Sequence, residues 1–346
     1  RGPLDISVTG VSQDSREVAP GDLFLAWKGL EFDAHEFLSQ AAAAGAVAVI
    51  VERITPDLDV PQLQVADGRL GAALASDTVM GSPWRDIFLG GVTGTNGKTT
   101  TAALARHLLQ TMGPSSAICT LGLVEGTGRV RPGTEGLTTP GPVQISSWVR
   151  DLADDGFQAV ILEASSHALA QSRLDGFRFD AAVFTNLGHD HLDYHADLAE
   201  YREAKAHLLD LLKPNGWAVV FKDEAAWADI PFPKGQTLSV GIESPADFRA
   251  LDVELVANGA RFRLVGGDEE APVTLPLLGR FNIENALTAA GLAWIGGLSI
   301  GEIAEGLSMA PQVKGRLEVV VSEPFTVLID FAHTPDALDR VLSTLR

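Results

Sequence analysis

Gly94-Thr95-Asn96-Gly97-Lys98-Thr99-Thr100 is the stretch on which the fold turns. It follows the apolar run Ile87-Phe88-Leu89 and precedes a helical pattern over 98–112. Strand, glycine loop and helix in that order is the setting a phosphate-binding loop needs. Glycines let successive backbone N–H groups turn inward, and the helix N-terminus adds positive potential. In such a loop Lys98 reaches the β- and γ-phosphates and the Thr99 hydroxyl ligates Mg²⁺. The strict pattern wants glycine at position 92, where this chain has Val92, so the loop is a variant.

Outward from the loop, short apolar runs alternate with helical stretches. Residues 159–162, 181–184 and 217–221 read as buried strands. Ile145, Trp148, Val149 and Leu152 mark one face of a helix over 142–154, and Asp197 with Glu200 opens another over 197–212. This α/β alternation predicts a mostly parallel sheet covered on both faces. Near Phe248 the texture changes: 253–256 and 262–265 flank Asn258-Gly259, which predicts an antiparallel flap. Helices resume over 282–295 and 299–307. Upstream, a helical pattern over 34–44 and an apolar run over 46–51 form a small N-terminal α/β unit, closed by the break at Gly81-Ser82-Pro83-Trp84. Downstream, Gly315 opens a region with two strands and a helix capped by Thr334-Pro335-Asp336. The expected domains are therefore 1–85, a central P-loop domain over 86–313, and the start of a C-terminal α/β domain over 314–346. The remainder of that last domain is expected to be missing.

Composition narrows the partners. The 346 residues carry 26 Lys+Arg against 45 Asp+Glu, a net charge of −19. Such acidity argues against nucleic acid as the main partner, since phosphate neutralisation needs a cationic surface. A single cysteine, Cys119, excludes a disulfide framework and a Cys-based zinc cage, and reads as a small buried hydrophobe. No apolar run reaches the ~18 residues of a membrane span. The expectation is a cytoplasmic monomer acting on small molecules.

Three further segments carry chemistry. Glu163-Ala164-Ser165-Ser166-His167 follows a predicted strand, at the end where ligand crevices of parallel sheets lie, and Glu163 offers Mg²⁺ a hard oxygen. Asn186 to His195 packs His189, Asp190, His191, Asp193 and His195 into a short span; His191 is the expected ligand, with His189 and His195 as scaffold or surface. Lys205 alone reads as a lysine on a helix surface.

Together these motifs resemble those of the Mur ligases, the ATP-dependent amide-forming enzymes of peptidoglycan precursor synthesis, and most closely the MurE type. The likeness rests on 94–100, Thr138-Thr139-Pro140, 163–167 followed by Gln171 and Arg173, 190–195, Asn282 with Asn285, Gly315-Arg316 and the run 330–338, all in family order. It implies that Gly94, Thr95, Asn96, Gly97, Lys98, Thr99 and Thr100 bind ATP phosphates, with Asn282, Asn285, Arg316 and Asp330 on the adenosine or outer phosphates. It implies Mg²⁺ on Thr99, Glu163 and His191, and carbamoylation of Lys205 to N6-carboxylysine beside the metal. Ser15, Arg16, Thr138, Thr139, Ser165, Gln171 and Arg173 would contact the UDP-linked substrate. The implied catalytic group is Lys98, Lys205, Glu163 and His191. The implied reaction adds a diamino acid to UDP-N-acetylmuramoyl-L-alanyl-D-glutamate through an acyl phosphate. Ser165 and Ser166 are not a hydrolase pair, since the Gly-x-Ser-x-Gly elbow is absent. The rivals are a related ligase of the MurF or folylpolyglutamate type, and a non-catalytic nucleotide-binding scaffold.

Overall fold

The computed structural model describes residues 5–29, 32–134, 136–188, 190–191 and 193–345, so His189 and Arg346 lie outside the described residues. The chain forms two compact units: Arg1–Asp86 with Pro140–Asp155 and His167–Arg178, and Ile87–Thr139 with Gly156–Ser166 and Phe179–Arg346.

The first unit is built on a parallel sheet of β1 (Gly10–Ser12), β2 (Asp22–Leu25), β3 (Ala48–Val51) and β4 (Gln62–Gln64), in that order. Strand alternation sends successive side chains to opposite faces. Phe24, Val49 and Val51 pack with Leu38 and Ala41, whereas Leu25 and Ile50 pack with Val11 and Ala72. Leu38 and Ala41 belong to α1 (Leu38–Ala44), which follows a 3-10 turn over Ala34–Phe37, so the expected helix over 34–44 begins in a tighter coil. Ala72 belongs to α2 (Gly68–Val79), whose first amides are capped by Asp67. α4 (Pro142–Asp154) also belongs to this unit: its predicted stripe, Ile145, Trp148, Val149 and Leu152, is buried, and the helix packs on α2.

The second unit contains the large sheet. Its parallel core runs β6 (Ser115–Cys119), β9 (Ala159–Glu163), β5 (Phe88–Thr93), β10 (Phe179–Phe184), β11 (Leu212–Phe221), β12 (Thr237–Gly241) and β13 (Phe248–Val256). Beyond β13 lie β14 (Gly259–Gly266) and β15 (Glu269–Leu275), antiparallel; beyond β6 lie β7 (Gly122–Glu125) and β8 (Val130–Arg131), also antiparallel. The mostly parallel α/β sheet with an antiparallel flap is thus as expected. One face is covered by α3 (Lys98–Leu109), α7 (Arg280–Ile295) and α8 (Ile300–Ser308), whose apolar residues share one core with Val92, Ile161, Val183 and Val219. α5 (Ser166–Ala170) and α6 (Leu198–Ala206) follow β9 and β10. A small hairpin of β16 (Glu318–Val321) and β17 (Val327–Ile329) precedes α9 (Pro335–Thr344).

The structure departs from the local expectations in several further places, the unannounced strands β6, β7 and β8 among them. The helix expected over 197–212 ends at Ala206 with a 3-10 turn to Leu209, and β11 already begins at Leu212. Pro214 explains this, because it bars a helix from running through it and biases Lys213 to an extended backbone. β12 is a strand that the apolar pattern does not announce. The flap turns at Ala257-Asn258, and Gly259, at φ +151°, pairs with Val256 as the first residue of β14.

Candidate active site

β5 delivers the phosphate loop. Val92, where the strict pattern wants glycine, is still a strand residue paired with Glu163 and Val183, and the turn begins two residues later. Gly94 sits at φ +143°, and a Cβ there would lie 1.9 Å from Thr185 Oγ1. Gly97 ends the loop at φ +86°, where a Cβ would lie 2.1 Å from Asn285 Oδ1. Both positions therefore demand glycine. Thr101 N makes the first intrahelical bond of α3, to Gly97 O, so the amides of Lys98, Thr99 and Thr100 precede the helix ladder. These amides and the helix dipole form an anion-binding end.

The segment after β10 braces this loop. Asn96 N donates to Asn186 Oδ1 at 2.9 Å, Asn186 Nδ2 returns a bond to Asn96 O at 3.2 Å, and Thr95 N donates to Asn186 O at 2.7 Å. The Thr185 hydroxyl donates to Asn96 O at 2.8 Å, and Thr95 Oγ1 lies 3.1 Å from the Tyr201 hydroxyl. The sequence alone gives Asn186 no task and does not single out Thr185 or Tyr201. The available signal for Thr185 and Asn186 is their place just past a buried strand beside β5.

Four side chains from three separate motifs, Lys98 and Thr99 of the loop, Glu163 and Arg316, meet at the helix start. Lys98 Nζ donates to Gly94 O at 3.0 Å and Thr95 O at 2.8 Å. Burial lowers its pKa, opposed by Glu163 and Asp190 and reinforced by Arg316. Glu163 ends β9 and is 1 % exposed; burial pushes its carboxyl up, against the pull of Lys98, a hydrogen bond from Thr99, and Arg316. Arg316 Nη2 donates to Thr99 Oγ1 at 3.0 Å, and its guanidinium stacks on Phe331 at 5.1 Å. The loop presenting Arg316 is clamped by Asp330, which accepts from Leu317 N and Ala332 N at 2.7 Å each. Asp330, expected on the nucleotide, thus spends its carboxylate on this clamp.

Lys205 overturns its bland reading as a surface residue. It is 1 % exposed, donates to Gly94 O at 2.8 Å and lies 4.3 Å over the Tyr201 ring. Burial, and then Lys98, lower its pKa well below that of an ordinary lysine; Asp190 opposes them. His191, at φ +54°, stands 3.7 Å from Asp190, and burial favours its neutral ring, as do Lys98 and Lys205. His195 is buried against Tyr194 and Tyr201. Asn285 Nδ2 donates to Asn282 Oδ1 at 3.0 Å, and Asn282 Nδ2 to Leu278 O at 2.7 Å. Thr139 Oγ1 donates to Glu163 O at 2.6 Å and lies 3.1 Å from Ser165 Oγ.

Of the remaining expected residues, Thr138 lies in the second unit, its Oγ1 3.3 Å from Thr120 Oγ1, and Ser15, Arg16, Gln171 and Arg173 lie in the first. Ser15 bonds Gln40 at 3.2 Å, and Arg16 holds Asp14, whose pKa falls to about 2 chiefly through that side-chain hydrogen bond. Arg173 Nη2 donates to Gln171 Oε1 at 2.7 Å.

No group of three His, Cys, Asp or Glu side chains among the described residues converges as a metal cage. The donors beside the loop are instead a threonine hydroxyl and one buried carboxylate, with a guanidinium against the hydroxyl. That set fits Mg²⁺, which takes few protein oxygens and completes its shell with water and substrate phosphates.

Sheet, loop and carboxylate place the chain among P-loop nucleotide-binding α/β proteins. Residues 92–293 match the Mur ligase middle domain and residues 7–69 the Mur ligase family catalytic domain, and the chain belongs to the Mur ligase family. It is 37% identical to the UDP-N-acetylmuramoyl-L-alanyl-D-glutamate–2,6-diaminopimelate ligase of Bacillus licheniformis, over 100% of this chain and 72% of that protein. To the UDP-N-acetylmuramyl-tripeptide synthetase of Deinococcus radiodurans it is 38% identical, over 99% of this chain and 70% of that one. A solved UDP-N-acetylmuramoyl-L-alanyl-D-glutamate–2,6-diaminopimelate ligase superposes with a TM-score of 0.82 at 31% identity, covering 98% of this chain and 70% of that chain. No helix of the described residues is long and apolar enough to cross a membrane.

Proposed function

We propose that this chain is an ATP-dependent ligase that adds a diamino acid to UDP-N-acetylmuramoyl-L-alanyl-D-glutamate in peptidoglycan precursor synthesis. The observation that carries the reading is the convergence of Lys98, Thr99, Glu163 and Arg316 at the start of α3, in a chain similar along its whole length to ligases named for that substrate. The diamino acid in the names of several relatives is 2,6-diaminopimelate, the first one to test.

Amide synthesis is opposed by water, so the D-glutamyl carboxylate is first phosphorylated by ATP. The amine of the diamino acid attacks the acyl phosphate and phosphate leaves. Lys98 and the α3 amides hold the phosphoryl oxygens as charge redistributes. Thr99, Glu163, His191 and carbamoylated Lys205 would hold Mg²⁺, which when bound offsets the repulsion between the phosphates and the substrate carboxylate. Burial, and then the neighbouring cation of Lys98, make the Lys205 amine deprotonate more readily, and the free amine adds CO₂. Arg316, Asn282 and Asn285 serve the nucleotide, and Asp330 serves it by placing Arg316. Thr138, Thr139, Ser165, Gln171, Arg173, Ser15 and Arg16 serve the UDP-linked substrate. In this reading residues 1–85 bind the UDP-sugar, 86–313 carry the ATPase domain, with 140–155 and 167–178 packing in the first unit, and 314–346 belong to the ligase domain. The enzyme works in the cytoplasm as a monomer, to be checked by light scattering.

Three measurements test the proposal. Lys98→Ala abolishes Mg·ATP binding by calorimetry; unchanged affinity would defeat it. In a competition assay UDP-N-acetylmuramoyl-L-alanyl-D-glutamate binds and a folate does not; the reverse order would reassign the chain to the folylpolyglutamate type. For Lys205, the alanine variant loses ligation, and added short carboxylic acids restore part of it. Absence of rescue would remove the support for carbamoylation.

A further inference from the structure

Glu163 is held from a side no motif announced. Thr120, in the two-residue turn between β6 and β7, donates its amide to Glu163 Oε1 at 3.4 Å and its hydroxyl to Oε2 at 3.3 Å. The same hydroxyl lies 3.3 Å from Thr138 Oγ1. Thr139, the next residue, binds the backbone carbonyl of Glu163. One carboxylate is thereby joined, through Thr120, to the Thr138-Thr139 pair.

The turn is placed by anchors at both ends of its hairpin. β6 lies in parallel register with β9, Ile118 opposite Leu162, so the turn emerges beside the end of β9. At the far end, buried Arg106 of α3 donates Nη1 to Glu125 O at 3.0 Å and Gly126 O at 3.1 Å. The helix that starts at the phosphate loop therefore grips the hairpin that carries Thr120.

The lengths of these bonds matter. A hydroxyl bonds a carboxylate at about 2.5–2.7 Å and a backbone N–H bonds oxygen at about 2.7–3.2 Å, so at 3.3 and 3.4 Å the two from Thr120 are long. Bonds of this length are weak: together they bias the direction of the carboxylate and leave its lone pairs open to a cation. Groups behind a ligand typically change metal affinity about 10–100-fold when removed.

We infer that Thr120 is the positioning residue of Glu163, aiming its carboxylate at the cation of a bound Mg·nucleotide and tying it to Thr138. This rests on the reading of Glu163 given above. The test is Mn²⁺ binding in the presence of ADP, followed by the electron paramagnetic resonance of free Mn²⁺, on the whole chain. Thr120→Val, isosteric but without the hydroxyl, weakens Mn²⁺ about tenfold with an unchanged urea midpoint, and Thr120→Ser stays within about twofold of the parent. Should the valine variant fold poorly, Thr120→Ala, which also lacks the hydroxyl, shows the same loss. Parental Mn²⁺ affinity in the valine or alanine variant, or a serine variant as weak as valine, overturns the inference. Glu163→Gln in the same assay separates the two claims. If it loses Mn²⁺ while Thr120→Val does not, only the role of Thr120 falls. If it binds Mn²⁺ like the parent, the reading of Glu163 falls, and the role of Thr120 with it.

Discussion

Gly94 shows how little room the loop leaves for variation. Its φ is +143°, and a Cβ at this position would come within 1.9 Å of Thr185 Oγ1, so alanine there meets both backbone strain and a clash. Gly94→Ala is expected to cost at least about 2 kcal/mol in urea unfolding and to lose nucleotide binding; parental stability would contradict this geometry. Cys119 makes the opposite point, since it lies near the site without chemistry of its own. Burial, and then Glu163, push its thiol up to about 12. The raised pKa leaves almost no thiolate below that value, so alkylation of the folded chain by iodoacetamide climbs with pH through about 10 without a plateau. In urea the same thiol reacts as an ordinary cysteine. A plateau near the ordinary thiol pKa of about 8.5 in the folded chain would show that the thiol is not buried.

At the scale of elements, caps and strand tips carry most of the local logic. Ser299 and Glu302 form the reciprocal capping box of α8 expected from their spacing, with Ser299 N donating to Glu302 Oε2 at 2.9 Å. Ser299→Ala is expected to cost about 1 kcal/mol in urea unfolding, read from the midpoint at constant slope; a change under a few tenths would show the box to be idle. Asp197 caps α6, but Glu200 reaches Ala196 N rather than Asp197 N, so only half of the expected box closes there. Strand ends matter more for function. Thr93, Glu163 and Phe184 close β5, β9 and β10, which are neighbours in the sheet, and the segments after β5 and β10 meet at Gly94. Periodicity locates these three strands correctly because each is a continuous apolar run, buried on both faces.

For the whole molecule, nucleotide binding and folding are linked. A ligand that binds only the folded chain adds about 2.7 kcal/mol at a concentration about 100 times its Kd. Mg·ADP should therefore raise the urea midpoint of the parent and leave that of Lys98→Ala unmoved; equal shifts in both would place the nucleotide elsewhere. The division into units also belongs to this scale. A linear reading puts residues 142–154 with the central domain, yet they pack with α2 in the first unit, because an apolar stripe is satisfied by whichever partner is close in space rather than in sequence.

From the order of residues alone came the phosphate loop, the parallel sheet with its flap, the acidic balance and the set of candidate side chains. These follow from short-range physics: backbone freedom at glycine, side-chain period and capping. Tertiary structure alone decided that Lys205 is buried against Gly94 O, that Arg316 reaches Thr99, and that Thr120 supports Glu163. Such pairs are separated by 43 to 217 positions, and no local preference encodes them. They exist because burying the sheet fixes strand order and register, and strand order brings distant loops to one edge.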